Sequence, residues 1–321
     1  MTWSTQMKPF IVVSDGFDNK LFNYLKGTNE FEVYPESKIS QDTLAGLLPR
    51  VNGLVIRSAT TITADLLEKA PNLEYVIRAG EGTDNIDKVS CEQKGVKVSN
   101  TPGANNNSAA EHAIALMMTV LRKTAYAHKN MTNGGWDKSK YLGNELSCKR
   151  VGIVGFGRIG QIVAKRLAGF DVEVLFADPF IESSELSYAK KANEVGDVFK
   201  KCDIITLHTP LMDATKGMVG KKYLSHMKPD SILINASRGG IVDEDALYNI
   251  LKAGKIKAAG FDVFATEPLP QDSKLRSLDN LVLTPHLGAS TEEAQVRVGE
   301  MVVNQLKEFF INQNLLNEVK A

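Results

Sequence analysis

Cysteine and long apolar segments are both scarce in this sequence, and each scarcity excludes a class of protein. The 321 residues include only three cysteines, Cys91, Cys148 and Cys202. An odd number without metal-like spacing argues against a disulfide framework and against a zinc site, so we expect no bound metal. The N-terminus, MTWSTQMKPFIVVSDG, has a short apolar run that is neither a signal peptide nor a membrane span. We therefore expect a cytoplasmic protein with no membrane partner.

The sequence also lacks an excess of either charge, because 38 Lys and Arg residues are balanced by 38 Asp and Glu residues. A chain of zero net charge has no general attraction for a polyanion, which argues against nucleic acid as its main partner. The apolar fraction of 43% and the charged fraction of 24% are those of an ordinary soluble globular protein. At roughly 150 residues per domain, the length predicts about two domains.

Short apolar runs rich in β-branched residues recur along the chain, and each is followed by a turn and a helix-like stretch. They form two series. The first comprises 9–15, 31–34, 53–58, 73–80 and 96–100, and the second comprises 150–155, 172–178, 203–210, 231–237, 257–264 and 280–286. Strands that alternate with helices form parallel sheets with helices on both faces. The sequence therefore predicts an α/β fold with two doubly wound parallel-sheet domains.

Two longer helix-like segments lie at the boundaries between the series, at 105–123 and 289–310. Each contains the S-x-x-E spacing of a capping box, which begins at Ser108 in the first segment and at Ser290 in the second. We expect these helices to carry the chain from one domain to the other and back.

The predicted crossings make the first domain discontinuous. It would comprise 1–103 and 289–321, and the second domain would comprise 104–288. The polar stretch 129–149 is interpreted as an excursion before the second series of strands begins.

The strongest local motif is VGIVGFGRIG, which has Gly155, Gly157 and Gly160 in G-x-G-x-x-G spacing. An apolar strand precedes it and a helix-like stretch follows. In this context the first glycine allows a tight turn, the second the approach of a pyrophosphate, and the third close packing of helix on strand. The helix N-terminus supplies N–H groups and positive dipole for the phosphates. We therefore predict a dinucleotide site.

Asp178 ends the next strand, 18 residues after Gly160. Its carboxylate can accept hydrogen bonds from the ribose hydroxyls and would repel a 2′-phosphate, which favours NAD over NADP. The alternative is that Asp178 is only a turn residue before Pro179.

Three further residues at strand ends match the needs of hydride transfer from an alcohol. His286, in LTPHLGAST, can accept a proton near neutral pH, and Glu267, in FDVFATEPLP, can stabilise the imidazolium that forms. Arg238, in NASRGGIVDEDAL, offers a guanidinium fork for a carboxylate and an adjacent carbonyl oxygen. The alternatives are a histidine that merely ends a strand and two surface ion-pair residues.

These stretches, with VGFGRIG before them and HTPL at 208–211, resemble the D-isomer-specific 2-hydroxyacid dehydrogenases over nearly the whole chain. The resemblance implies a Rossmann NAD-binding domain, a flavodoxin-like substrate domain and a homodimer. It also implies that Arg238 binds substrate, that Glu267 and His286 transfer the proton, and that Asp262 holds the nicotinamide carboxamide. The implied cofactor contacts fall on Gly155, Gly157, Arg158, Ile159, Gly160, Asp178, Thr209, Ala236, Ser237, Arg238, Asp262 and the turn from His286 to Gly288.

Within the family, the first domain is most similar to the phosphoglycerate dehydrogenase branch, through VIRSATTITADLL, YVIRAGEGTDNID and VSNTPGANNNSAAE. A phosphorylated hydroxy acid needs positive charge beyond Arg238. Arg57 and Arg78 lie at strand ends and can supply it. The alternative is that both are surface ion-pair residues. Lys138 is a further candidate source of charge, which the partner subunit of such a dimer would contribute. The implied substrate residues are Arg57, Ser58, Arg78, Gly80, Gly82 and Asn105. We therefore expect NAD-dependent oxidation of 3-phosphoglycerate, the entry to serine synthesis.

The chain departs from the pattern of that branch at Glu81, at Gly103-Ala104 and at Ser147-Cys148. It stops at Ala321, so no C-terminal regulatory domain and no serine feedback through it are expected. Two alternatives stay open: reduction of an unphosphorylated 2-oxo acid such as glyoxylate or hydroxypyruvate, and a non-catalytic protein that senses NAD(H).

Overall fold

The structure, a computed structural model, describes residues 8–321. The chain divides into two compact units. One contains the residues up to Asn105 together with Ala289–Ala321, and the other contains Asn106–Gly288.

All the strands that pair in sheets do so in parallel. In chain order they are β1 (Phe10–Val13), β2 (Glu32–Val33), β3 (Gly53–Ile56), β4 (Tyr75–Arg78), β5 (Lys97–Asn100), β6 (Arg150–Val154), β7 (Glu173–Ala177), β8 (Ala189–Lys191), β9 (Ile204–Leu207), β10 (Ile232–Asn235), β11 (Ala258–Phe261) and β12 (Leu281–Leu283). The α-helices are α1 (Asn19–Gly27), α2 (Gln41–Leu47), α3 (Ala64–Glu68), α4 (Lys88–Gln93), α5 (Asn106–Arg122), α6 (Thr124–Thr132), α7 (Arg158–Leu167), α8 (Val195–Lys201), α9 (Lys221–Leu224), α10 (Glu244–Lys252) and α11 (Glu292–Phe310).

The first unit contains a five-stranded sheet in the order β2-β1-β3-β4-β5. This is the order of the flavodoxin-like folds. The apolar runs produce it because both faces of the central strands are buried: every residue of β1 and of β3 is buried. The predicted parallel α/β architecture of this half is confirmed.

The second unit contains a seven-stranded sheet in the order β12-β11-β10-β9-β6-β7-β8. Counted from β6, this is the 3-2-1-4-5-6 order of the Rossmann fold with one further strand, as predicted. Side chains of β10 alternate between two apolar cores: Leu233 belongs to one, and Ile232 and Ile234 belong to the other. Helices cover both faces, so the sheet is the middle layer of three.

Both predicted capping boxes are wrong in detail. Helix α5 already begins at Asn106, so Ser108 lies buried inside the first turn instead of preceding it. Helix α11 is capped by Thr291, one residue after Ser290, because the Thr291 backbone is extended and its hydroxyl accepts the N–H of Ala294. A third correction concerns the excursion at 129–149, whose first residues are the last turn of α6.

No helix within residues 8–321 combines the length and the apolarity needed to cross a membrane.

Candidate active site

In the glycine loop between β6 and α7, two glycines have no room for a side chain and the third has free space beside it. Gly155 has φ of +89°, and a Cβ there would lie 2.5 Å from the carbonyl oxygen of His208. A Cβ at Gly160 would overlap the carbonyl oxygen of Gly155, whereas a Cβ at Gly157 would meet no atom within 4 Å. The loop thus fits the predicted roles, with free space at the glycine where a pyrophosphate would approach.

Two more features at the carboxyl edge of the seven-stranded sheet fit a bound dinucleotide. No side chain of the described residues caps the N-terminus of α7, which leaves the N–H groups of Ile159 and Gly160 for phosphate oxygens. The hydroxyl oxygen of Thr209 is buried and has no hydrogen-bond partner within residues 8–321. A buried polar atom without a partner is costly, so a ligand atom is the expected partner of this hydroxyl.

Asp178 connects the glycine loop to the end of β7. Its Oδ2 accepts the N–H of Phe156 at 2.7 Å, and its Oδ1 accepts the N–H groups of Phe180 at 2.8 Å and of Ile181 at 3.1 Å. A carboxylate has about four acceptor positions, so one stays open for a ribose hydroxyl. Both interpretations of Asp178 therefore agree with the geometry, since it shapes the turn and places a negative charge beside the glycine loop.

Glu267 and His286 lie in contact at the carboxyl edge of the seven-stranded sheet. His286 Nδ1 is 2.6 Å from Glu267 Oε2, and the N–H of Phe264 donates to Glu267 Oε1 at 2.9 Å. Burial alone would raise the pKa of Glu267, but the hydrogen bonds from His286 and from the Phe264 N–H outweigh it and lower the pKa below its ordinary value. The carboxylate is therefore an acceptor, and Nδ1 carries the proton between the two groups. Nε2 is the ring atom left to exchange a proton.

The backbone of His286 is left-handed, with φ of 56°. This is uncommon for a residue other than glycine and persists only where neighbours enforce it. Asp262 enforces it by accepting three consecutive N–H groups: His286 donates to its carbonyl oxygen at 2.8 Å, Leu287 to Oδ1 at 2.8 Å and Gly288 to Oδ2 at 2.9 Å. Thr284 Oγ1 also donates to Oδ1, at 2.6 Å.

The Asp262 side chain has 0% of its surface exposed. Burial would raise its pKa, but hydrogen bonds from His112, Thr284 and the Leu287 N–H lower the pKa below the ordinary value, so it is buried as an anion. Its carboxylate anchors the His286 turn. A contact with the nicotinamide carboxamide stays a prediction, and in this structure the carboxylate has no exposed surface for one.

Arg238 lies on a turn built by Asn235, the last residue of β10. Asn235 Oδ1 accepts the Ser237 hydroxyl at 2.9 Å, and Asn235 Nδ2 donates to the carbonyl oxygen of Arg238 at 3.1 Å. Adjacent Gly239 packs so tightly on the loop before Glu267 that a Cβ there would overlap the carbonyl oxygen of Phe264. The loops that carry Arg238 and Glu267 are therefore in contact, as neighbouring strands β10 and β11 require.

His208 is the other histidine at a strand end of this unit. Its Nε2 lies 2.9 Å from the hydroxyl oxygen of Thr206, and burial lowers the pKa of the ring to about 4. It is therefore neutral near pH 7, whereas His286 is the strand-end histidine paired with a carboxylate.

The predicted substrate residues belong to the first unit, where Arg57 follows β3. Asp15 accepts the N–H of Arg57 at 2.7 Å and of Thr60 at 2.9 Å, and Asn85 donates to the carbonyl oxygens of the same two residues at 2.7 and 2.6 Å. Burial lowers the pKa of Arg57, and the negative charge of Asp15 opposes that shift only in part. The loop is fixed, and it carries a half-buried cation.

The next strand end places Arg78 against Gly80, because a Cβ on Gly80 would overlap the guanidinium. Glu81 Oε2 accepts the N–H of Gly103 at 2.6 Å, so the departure at Glu81 connects two loops of this unit. Asn105 Oδ1 is buried without a hydrogen-bond partner within residues 8–321. Ser58 is exposed and Gly82 is half-buried.

Sequence reasoning missed the residues that hold these loops, namely Asp15, Asn85, His112, Asn235 and Thr284. Thr284 and Asn235 lie in stretches that the sequence had already singled out, beside His286 and before Arg238. Their polar side chains at otherwise apolar strand ends are a signal that could have indicated them. His112 gives no local signal, because its partner lies 150 residues away along the chain.

Comparison with known proteins agrees with this geometry. Residues 114–288 match the family model of the D-isomer specific 2-hydroxyacid dehydrogenase NAD binding domain. The chain is similar to a hydroxypyruvate reductase from Thermotoga maritima, with 43% identity over 93% of this chain and 98% of that protein. It is also similar to a D-3-phosphoglycerate dehydrogenase from Archaeoglobus fulgidus, with 39% identity over 92% of this chain but only 56% of that protein.

A solved structure has a similar fold. It is an NAD-dependent formate dehydrogenase from Staphylococcus aureus in complex with NAD, with a TM-score of 0.86 and 29% identity over 98% of this chain and 99% of that one. The family predicted from the motifs and the NAD-binding domain are thereby confirmed. The chain belongs to the D-isomer specific 2-hydroxyacid dehydrogenases and is an NAD-dependent enzyme of that family.

Proposed function

We propose that His286 is the proton acceptor when this enzyme oxidises a D-2-hydroxy acid, with Glu267 as its partner and Arg238 as the substrate-binding cation. The contact of 2.6 Å between His286 Nδ1 and Glu267 Oε2 carries this proposal. It fixes the ring in the tautomer whose Nε2 is free to accept a proton, and it places a negative charge where an imidazolium would form.

The reaction divides between the cofactor and these side chains. Bound NAD supplies the acceptor for the hydride that leaves C2 of the substrate. His286 Nε2 takes the hydroxyl proton as the C2–O bond becomes a carbonyl, and Glu267 stabilises the resulting imidazolium. Arg238 binds the carboxylate and the adjacent oxygen through its planar fork, so the substrate is oriented with its hydroxyl toward the imidazole. In the reverse direction the same imidazolium returns the proton.

For the substrate we propose 3-phosphoglycerate, oxidised to 3-phosphohydroxypyruvate in serine synthesis. Arg57 supports this, because its half-buried guanidinium is only partly compensated by Asp15 and would gain from a phosphate dianion. The similarity to the Archaeoglobus fulgidus enzyme supports it as well.

The second candidate is reduction of an unphosphorylated 2-oxo acid such as hydroxypyruvate. The similarity to the Thermotoga maritima enzyme favours it. So does the carboxylate of Glu81, a negative charge on the loop that contains the predicted contacts Gly80 and Gly82.

The deciding experiment measures kcat/KM with NADH for hydroxypyruvate and for 3-phosphohydroxypyruvate, in wild type and in Arg57→Gln. If the phosphorylated acid is the substrate, wild type prefers it and Arg57→Gln loses the preference at least about tenfold, about 1.4 kcal/mol, without losing activity on hydroxypyruvate. Arg50→Gln is the matched control, since Arg50 is an exposed arginine of the same unit paired with Glu32. A wild-type preference for hydroxypyruvate that Arg57→Gln leaves unchanged would select the second candidate.

We further propose that the enzyme acts as a homodimer. Trp136 is 72% exposed and Leu142 is 80% exposed in the segment after α6, and large apolar side chains at such exposure favour an interface. Light scattering after size exclusion tests this: wild type should have twice the mass of Trp136→Ser/Leu142→Ser. A monomeric wild type would contradict the proposal.

A further inference from the structure

The turn that carries His286 depends on one buried carboxylate. Asp262 receives the N–H groups of Leu287 and Gly288 on its two carboxylate oxygens, and its carbonyl oxygen receives the N–H of His286. A change in the direction of this carboxylate would release two of the three bonds that hold the left-handed backbone. The position of the imidazole therefore depends on whatever fixes the carboxylate.

His112, on helix α5, is placed to fix it. Its Nε2 lies 3.1 Å from Asp262 Oδ1 and 3.2 Å from Thr284 Oγ1, and only 17% of its side chain is exposed. An anionic carboxylate can only accept, so Nε2 must carry the proton. With the Thr284 hydroxyl and the Leu287 N–H, this places three donors on Oδ1.

We propose that His112 is a positioning residue for His286, acting through Asp262. The Nε2–H bond holds the carboxylate in the orientation that receives both turn amides, and it adds a third donor at Oδ1 of a carboxylate that has no exposed surface. The proposal rests on the proposed function in one respect, the role of His286 as proton acceptor. If His112 served only the packing of α5 against the sheet, its loss would change stability but neither the turn nor the turnover of folded enzyme.

Two substitutions separate the hydrogen bond from the volume of the ring. His112→Leu keeps much of the volume and removes the donor, and His112→Gln keeps an N–H donor at a similar reach. His226→Leu is the matched control, because His226 is an exposed histidine of the same unit. If His112→Leu does not fold, His112→Phe, which keeps a flat ring without a donor, replaces it.

Three quantities are measured on each variant: kcat with a 2-oxo acid and NADH, the Kd of NADH by fluorescence, and amide hydrogen exchange at Leu287 and Gly288 by NMR. For His112→Leu we expect kcat to fall about tenfold and exchange at both amides to rise about tenfold, the ratio that corresponds to about 1.4 kcal/mol. The Kd of NADH sets the cofactor concentration that saturates each variant, so that a fall in kcat is not a fall in cofactor occupancy. His112→Gln should restore both kcat and exchange toward wild type, and His226→Leu should match wild type.

Each contrary outcome overturns the proposal. Unchanged exchange at Leu287 and Gly288 in His112→Leu would show that His112 does not hold the turn, whatever happens to turnover. Faster exchange with unchanged kcat would show that the held turn does not position a catalytic group. Equal losses in His112→Gln and His112→Leu would assign the effect to shape instead of the hydrogen bond. Failure of the proposed function is distinguishable, because His286→Asn would then keep its turnover while the exchange rates in the His112 variants still report on the turn.

Discussion

The Asp262→Asn substitution tests the buried anchor of the active-site turn most sharply. An asparagine would keep the shape but replace one oxygen by an amide nitrogen. The nitrogen should take the Oδ2 position, where it meets the single N–H of Gly288, because at Oδ1 it would meet three donors. The N–H of Gly288 would then face another donor and lose its hydrogen bond. The three hydrogen bonds at Oδ1 would keep their acceptor, but it would be neutral instead of charged.

The magnitude follows from these four contacts. An unsatisfied buried donor costs about 1–3 kcal/mol, and each bond to a charged group is worth about 1 kcal/mol more than its neutral equivalent. Burial of the carboxylate itself costs free energy that the amide does not, so we expect a net destabilisation of about 2–4 kcal/mol. For a unit of this size that lowers Tm by roughly 5–15 °C.

The assay is thermal and urea unfolding of wild type, Asp262→Asn and the exposed control Asp272→Asn. The direction of the pKa shift adds a pH test. The pKa of Asp262 is lowered in the folded state, so its contribution to stability is present above the unfolded pKa and is lost as pH falls through the folded value. The stability gap between wild type and Asp262→Asn should thus be full at neutral pH and shrink below about pH 4. A Tm within about 1 °C of wild type would refute the reasoning, because such a shift corresponds to a destabilisation of less than about 1 kcal/mol.

Two further substitutions address the proton-transfer pair and the cofactor. Glu267→Gln removes the charge beside His286 while keeping an acceptor. Because both side chains are partly exposed, we expect a loss at the low end of the free energy of a hydrogen bond to a charged group. This corresponds to a roughly tenfold fall in kcat, with the Kd of NADH unchanged. A kcat equal to that of wild type would contradict the role given to Glu267. Asp178→Ser removes the charge that repels a 2′-phosphate, so the ratio of kcat/KM with NADH to that with NADPH should fall at least about tenfold. An unchanged ratio would assign Asp178 to the turn alone.

The architecture was predictable because its signals are local. Continuous apolar runs such as IVV in β1 and LVI in β3 belong to strands buried on both faces, and alternation with helices implies parallel pairing. Strand β8, Ala189–Lys191, was missed because three residues that include two lysines give no apolar pattern. Ser290 was predicted as the helix cap because both it and Thr291 can cap, and only the extended backbone of Thr291 decides between them.

The site was predictable only as far as sheet geometry allows. Glu267 and His286 follow consecutive strands, and the carboxyl ends of neighbouring parallel strands meet at one edge, so their contact could be expected. The buried contact of His112 with Asp262 and the turn formed by Asn235 could not, since they depend on which side chain of a helix or strand points into a particular gap. The proposed substrate is harder still to derive from sequence, because the proposal rests on the partial burial of a single charge, that of Arg57.

The central claim is that His286 exchanges the substrate proton, and its most direct test is the turnover of His286→Asn. Asparagine tolerates the left-handed backbone at this position, so the turn should survive the change. We predict a loss of about 10²–10⁴ in kcat, the usual contribution of a general acid or base, with the Kd of NADH within about twofold of wild type. A kcat within about threefold of wild type, far less than that contribution, would contradict the account.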